Sequence, residues 1–263
     1  MLIDFHTHAY PDKIAERTVE FLGKEGNIPY FTNGTLNGLK EKLSSDGVNY
    51  HVLLNIATTP KHESKVNEFA ISSNGGNCFA FGSVHPYSDT WKQSLQVLKD
   101  AKIAGVKFHN EYQNFFVDDE KAMPIYAECE KLGLIMLFHG GGDIAFKPPY
   151  KCSPKSFANV AKEFPNAKFV FAHLGGLHTQ KESIEYLSSL KNVYTDTAFS
   201  SQYYSVAAGR EIVDAFGADR VLFGSDCPWD TPLRTVEYVK SLGLSSVEEE
   251  KIFYKNAENL LKI

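Results

Sequence analysis

Short, nearly uninterrupted apolar runs alternate along this chain with longer stretches of mixed polar and apolar residues. Eight runs read as strands, at residues 2–5, 50–56, 79–84, 105–108, 134–138, 168–172, 193–195 and 220–223. The last seven are each followed by a helical pattern, at 60–73, 90–101, 119–132, 153–164, 179–190, 203–216 and 232–242. Helices are also expected near 11–22 and 36–45, and one or two more in the tail, 246–261. Continuous apolar runs are the mark of strands buried on both faces. A helix between successive strands makes the strands parallel and puts the helices outside. Eight such units predict a distorted (β/α)8 TIM barrel, read as a single domain over residues 1–263. An open doubly wound sheet would place a G-x-G-x-x-G turn after its first strand. Here the first strand runs into two histidines instead.

Composition narrows the function classes. Of 263 residues, 43% are hydrophobic and 22% charged, enough for a large core. The net charge of −5 offers no basic face for nucleic acid. No apolar run is long enough for a membrane span. Asp4, His6 and His8 interrupt any signal-peptide core at the start. Cys78, Cys129, Cys152 and Cys227 are widely spaced and form no C-x-x-C pair. That spacing fits neither a disulfide framework nor a cysteine zinc site, so a cytoplasmic setting is expected.

The chemistry gathers where a barrel would use it, at the C-terminal ends of the strands. His6 and His8, two apart on a strand, point the same way and can converge on one cation. His85 follows the third strand. Lys107 and His109 end the fourth. His139 follows the fifth, His173 the sixth, Asp196 the seventh and Asp226 the eighth. His178 lies just beyond the sixth, whereas His51 and His62 fall outside this pattern.

These pieces in their order resemble the amidohydrolase superfamily, in the amidohydrolase 2 branch that includes aminocarboxymuconate-semialdehyde decarboxylase. The matching segments are Asp4-Phe5-His6-Thr7-His8, Gly105-Val106-Lys107-Phe108-His109, His139 with its glycines, Ala172-His173-Leu174-Gly175-Gly176, and Gly224-Ser225-Asp226-Cys227-Pro228-Trp229. The closing Asn256-Ala257-Glu258-Asn259-Leu260-Leu261 is also similar. The resemblance implies His6, His8, His139 and Asp226 as ligands of one divalent metal, with His173 as acid/base. Three imidazoles and a carboxylate suit Zn2+, with Mn2+ or another divalent ion as alternative. A bound ion would lower the pKa of its water from about 16 towards 7. His173 and Asp226 are the expected catalytic groups, and His173 would exchange protons in that range.

Lys107, His109, Tyr112 and Trp229 are the expected substrate contacts. In binuclear relatives a carboxylated lysine on the fourth strand bridges two metals. The Gly-Val-Lys-Phe-His context resembles the mononuclear pattern instead, with an unmodified Lys107. The segment 111–116 could form a pocket wall or a plug. The leading expectation is a hydrolase in which metal-activated water attacks an amide, ester or lactone carbonyl of a small molecule. A non-oxidative decarboxylase of a small unsaturated or aromatic acid is the alternative, and a non-catalytic metal-binding protein the second. Only four arginines exist and none adjoins a strand-end motif, which tilts the expectation towards a hydrolase. A homodimer is expected by analogy with barrel relatives.

Overall fold

The computed structural model describes residues 1–263. Its eight strands are β1 (Ile3–Thr7), β2 (Tyr50–Leu54), β3 (Cys78–Phe81), β4 (Gly105–Phe108), β5 (Ile135–Phe138), β6 (Lys168–Phe171), β7 (Val193–Asp196) and β8 (Val221–Leu222). All pair in parallel, β1-β2-β3 as one run and β4 to β8 as another. Two seams close the ring. Gly82 bridges Val106 beyond the end of β3. Phe5 N–H donates to Phe223 O at 2.7 Å, and Thr7 bridges Cys227, joining β8 back to β1. The result is the distorted (β/α)8 barrel that the strand–helix alternation predicts.

Side-chain alternation along the strands builds two apolar layers. Ile135 and Leu137 face inward with Ile3, Phe5, Val52, Leu54, Phe81, Val170 and Leu222. Met136 and Phe138 face the helices with Val106, Phe108, Phe169 and Phe171. Ala257 and Leu260, on the last helix Asn256–Leu261, join the inner layer.

Helix ends follow their caps. Ser153 accepts from Ser156 N–H and starts Pro154–Glu163. The helix expected at 203–216 is two, Ser200–Tyr203 and Val206–Phe216, because Ser205 caps the second by accepting from Ala208 N–H. A helical turn at Asn110–Gln113 and a tight turn at Ala172–Gly175, where His173 and Leu174 are left-handed, were not expected from the pattern. No helix is long and apolar enough to cross a membrane.

Candidate functional site

A register shift between Asp4 and Thr7 breaks the alternation of β1. Such a bulge re-aims side chains. Phe5 therefore stays in the apolar interior while His6 and His8 both line the cavity at the strand ends, their rings 5.2 Å apart. Asp4 anchors this turn. Its buried carboxyl accepts from Ser225 N–H at 2.9 Å, Ser225 Oγ–H at 2.5 Å and His6 N–H at 3.2 Å. Asp226, next in the chain, has a left-handed φ of 69° and donates its N–H to His6 O at 2.8 Å. Non-glycine residues in this region are costly and cluster at functional sites.

His6 and His8 are held from behind. Asp196 Oδ2 lies 2.8 Å from His6 Nδ1, and Leu54 O lies 3.1 Å from His8 Nδ1. Each ring then presents Nε2 to the cavity, and both meet Asp226 Oδ1, at 3.5 and 3.2 Å. An acceptor behind each imidazole is the usual setting of a metal-binding histidine. His173 closes this side, with Nδ1 4.0 Å from Asp226 Oδ2. Burial, then the nearby Lys107 charge, pushes the His6 ring well below its usual range, leaving its lone pair free. Burial alone would raise the Asp226 carboxyl, but its neighbours His6, His8 and His173 hold it well below the usual carboxylate range.

His139 and His173 form a hydrogen-bonded pair, Nδ1 to Nε2 at 2.9 Å. Carbonyls stand at both ends, Ala198 O at 3.1 Å from His173 Nδ1 and Gly142 O at 3.0 Å from His139 Nε2. Meeting all three contacts takes three N–H protons, one more than two neutral imidazoles carry. A cation taking an end nitrogen removes the shortfall. His139 is thus brought to the site through His173, with its own Nε2 turned to Gly142 and Asp143 rather than to Asp226.

Lys107 is 1% exposed, with Nζ 3.4 Å from His6 Nε2. Burial lowers it to about 8, opposed by the charges of Asp196 and Asp226. His109, Tyr112 and Trp229 all line the cavity. It encloses about 820 Å³, open mouth included, and Tyr10, Ile144, Phe199 and Tyr204 add to its walls. No arginine lines it. Of segment 111–116 only Tyr112 reaches the cavity. Phe115 is in the core, Phe116 is exposed, and Glu111 holds Lys151. His85 accepts from Tyr87 N–H, and His178 packs against Tyr203; neither lines the cavity.

A family model described as Amidohydrolase matches residues 3–263. The chain belongs to the amidohydrolase family. A curated relative, gamma-resorcylate decarboxylase of Polaromonas sp. strain JS666, is 25% identical over 121 residues. The match covers 38% of this amidohydrolase and 36% of that relative, so it spans about a third of the relative's length. An uncharacterised TIM-barrel protein of Bordetella bronchiseptica superposes with a TM-score of 0.81 at 21% identity, covering 99% of this chain and 98% of its own. A dihydroxybenzoic acid decarboxylase of Polaromonas sp. JS666, solved with manganese and the inhibitor 2-nitroresorcinol, gives 0.73 at 12% identity, covering 99% and 96%. A probable 2-pyrone-4,6-dicarboxylic acid hydrolase of Acinetobacter baumannii gives 0.73 at 14%, covering 100% and 99%. These structural likenesses show the fold.

Sequence reasoning missed one charged wall residue of this amidohydrolase. Asp143 is buried, lines the cavity, and lies 3.3 Å from His109 Nε2 and 3.6 Å from His139 Nε2. Its only sequence signal is its place just after the Gly140–Gly142 run. Asp196, at the end of the seventh strand, is the carboxylate behind His6.

Proposed function

We propose that this amidohydrolase is a metal-dependent, non-oxidative decarboxylase of a small aromatic or unsaturated acid carrying one carboxylate. One observation carries the reading. The cavity sets the His6, His8, His173 and Asp226 cluster beside a single lysine, Lys107, under walls of Tyr10, Tyr112, Phe199 and Trp229. Such walls suit a flat ring, and one ammonium suits one carboxylate.

The donor set fits a divalent ion. His6 and His8 offer pinned imidazoles beside the Asp226 carboxylate, and the His139–His173 pair is one proton short of meeting its contacts. His6, His8 and Asp226 would hold the ion, with His139 as the fourth ligand that the family resemblance implies. A divalent ion supplies Lewis-acid polarisation of the substrate's oxygens when bound. Nitrogen and oxygen donors accept zinc or manganese, and the manganese of the Polaromonas structure supports a divalent ion of this kind.

Lys107 binds the substrate carboxylate, and Tyr112 and Trp229 hold the ring. The bond between ring carbon and carboxylate breaks, its electron pair stays on carbon, and carbon dioxide leaves. His173, with Asp226 beside it, delivers a proton to that carbon. The Ala198 carbonyl holds the His173 ring in place.

The decarboxylase names among the relatives weigh against the hydrolase expected from the sequence. The lack of arginine, which had tilted that expectation, instead disfavours substrates with two carboxylates. Hydrolysis is the second reading, supported by the likeness to the 2-pyrone-4,6-dicarboxylic acid hydrolase. A panel of hydroxybenzoates, lactones and amides, followed for both carbon dioxide and acid release, tests the choice. Carbon dioxide from an aromatic acid is expected. Acid release from a lactone or amide, with no carbon dioxide from any acid, would replace the first reading by the second.

A further inference from the structure

Three tyrosines line the cavity, and their hydroxyls are used differently. Tyr204 donates to Gly176 O at 3.2 Å and lies 3.4 Å from His173 O. The Tyr10 and Tyr112 hydroxyls bond to no group of the chain and are left to the cavity. A tyrosine hydroxyl in a pocket ordinarily has a partner, and the few polar groups of a pocket fix how its ligand lies.

Both rings are held in place. Tyr10 follows the end of β1, donates its N–H to Gly34 O at 2.8 Å and packs with Val19, Phe199 and Trp229. Tyr112 stands on the turn Asn110–Gln113, its ring edge-on to His109 at 4.5 Å and to Phe146 at 5.1 Å. Both come from segments beyond the strand ends, whereas Lys107 lies within β4. The two hydroxyls thus face a part of the ligand different from the one that Lys107 meets.

The charges around them decide what they bind. Burial pushes both hydroxyls up from the ordinary value, and so do nearby carboxylates, Asp226 at Tyr10 and Asp143 with Glu25 at Tyr112. A phenol is protonated at neutral pH in any case, so each has an O–H to give. The same carboxylates repel a second anion, and no arginine lines the cavity to offset them.

We infer that Tyr10 and Tyr112 are specificity-determining residues, whose hydroxyls donate to an uncharged carbonyl or ether oxygen that the substrate carries away from its carboxylate. The inference rests on the reading that an aromatic acid binds through Lys107. It narrows the substrate to a monocarboxylate with an acyl or alkoxy substituent.

Calorimetry of the manganese-loaded full-length chain with meta- and para-acetylbenzoate, each against the isopropylbenzoate of the same shape, tests this. The acetyl oxygen is the acceptor that the isopropyl group lacks. In at least one pair the acetyl acid should bind about 10–100-fold tighter, each hydroxyl contributing about three- to tenfold. Tyr10→Phe and Tyr112→Phe keep the rings and should each cut the preference by that factor. The double variant should abolish it, with circular dichroism confirming the fold. Equal affinities within both pairs, or a preference that survives the double variant, overturns the inference. Carbon dioxide release from the hydroxybenzoate panel reports the decarboxylase reading on its own. A tyrosine-dependent preference with no release from any acid sinks that reading and leaves these contacts standing. Release with no preference removes the contacts and leaves the reading standing. Failure of every acid to bind removes both.

Discussion

Asp196 Oδ2 lies 2.8 Å from His6 Nδ1, and both residues are buried at 1% exposure or less. The other oxygen of the same carboxylate accepts from His173 N–H at 2.9 Å and Ala198 N–H at 3.1 Å. One side chain on β7 thus sets the tautomer of His6 and the backbone of His173. Asp196→Asn keeps the size but loses the charge that raises the basicity of His6. The ion should bind about 10–100-fold more weakly, with the far-ultraviolet spectrum unchanged. Equal affinity in competition with a chromophoric chelator would show that His6 needs no carboxylate behind it.

Lys107 is the one lysine of the cavity, and no arginine lines it. Lys107→Met keeps length and removes the charge. Hydrogen bonds to charged groups contribute about 1.5–3 kcal/mol, so kcat/KM for the carboxylic acid substrate should fall about 10–100-fold or more, chiefly through KM. Stability should fall as well, because Asp196 and Asp226 lose a buried counter-charge, so the kinetics are read on a variant shown to be folded by circular dichroism. Steady-state kinetics decide it, and an unchanged KM would move Lys107 out of substrate binding.

The barrel was legible because most strands are short, nearly continuous apolar runs, as Ile135–Phe138 shows in its uniform burial. The strand-end histidines were legible for the same reason: a polar residue ending such a run stands out. Asp143 was not, because a loop presents it after three glycines and no periodicity reaches it. The orientation of His139 was also hidden, since it depends on the Gly142 carbonyl and on His173, 34 residues away. The bulge in β1 escaped because its cause is the hydrogen bonding of Asp4 to Ser225, 221 residues away.

Gly176 and Gly47 share the same φ of +81° but differ in what surrounds them. A Cβ on Gly47 meets nothing within 4 Å, whereas one on Gly176 would sit 2.7 Å from the carbonyl carbon of Gly140 and 2.7 Å from the Phe171 ring. Gly47→Ala therefore bears only the left-handed backbone cost, about 1–2 kcal/mol. Gly176→Ala adds overpacking against backbone, typically another 1–3 kcal/mol. Urea unfolding of the two variants should show this gap. Equal losses would mean that the Gly140 loop yields freely.

His51 sits on β2 at 1% exposure, with Nε2 buried and unpaired. Burial, aided by the charge of Lys40, lowers it to about 4, against 6.5 for a free ring. Between these values the unfolded chain binds the proton and the folded chain does not. Stability therefore rises with pH across this window. The His51 penalty is absent above about pH 6.5, grows as pH falls, and reaches about 3 kcal/mol near pH 4. His51→Phe removes the titration and keeps an apolar ring of similar size. The test is the difference in urea stability between the unsubstituted chain and the variant, measured from pH 4 to 7. That difference should shift in favour of the variant as pH falls, whatever its sign at pH 7. A constant difference across the range would place the proton on His51 in the folded state as readily as in the unfolded one.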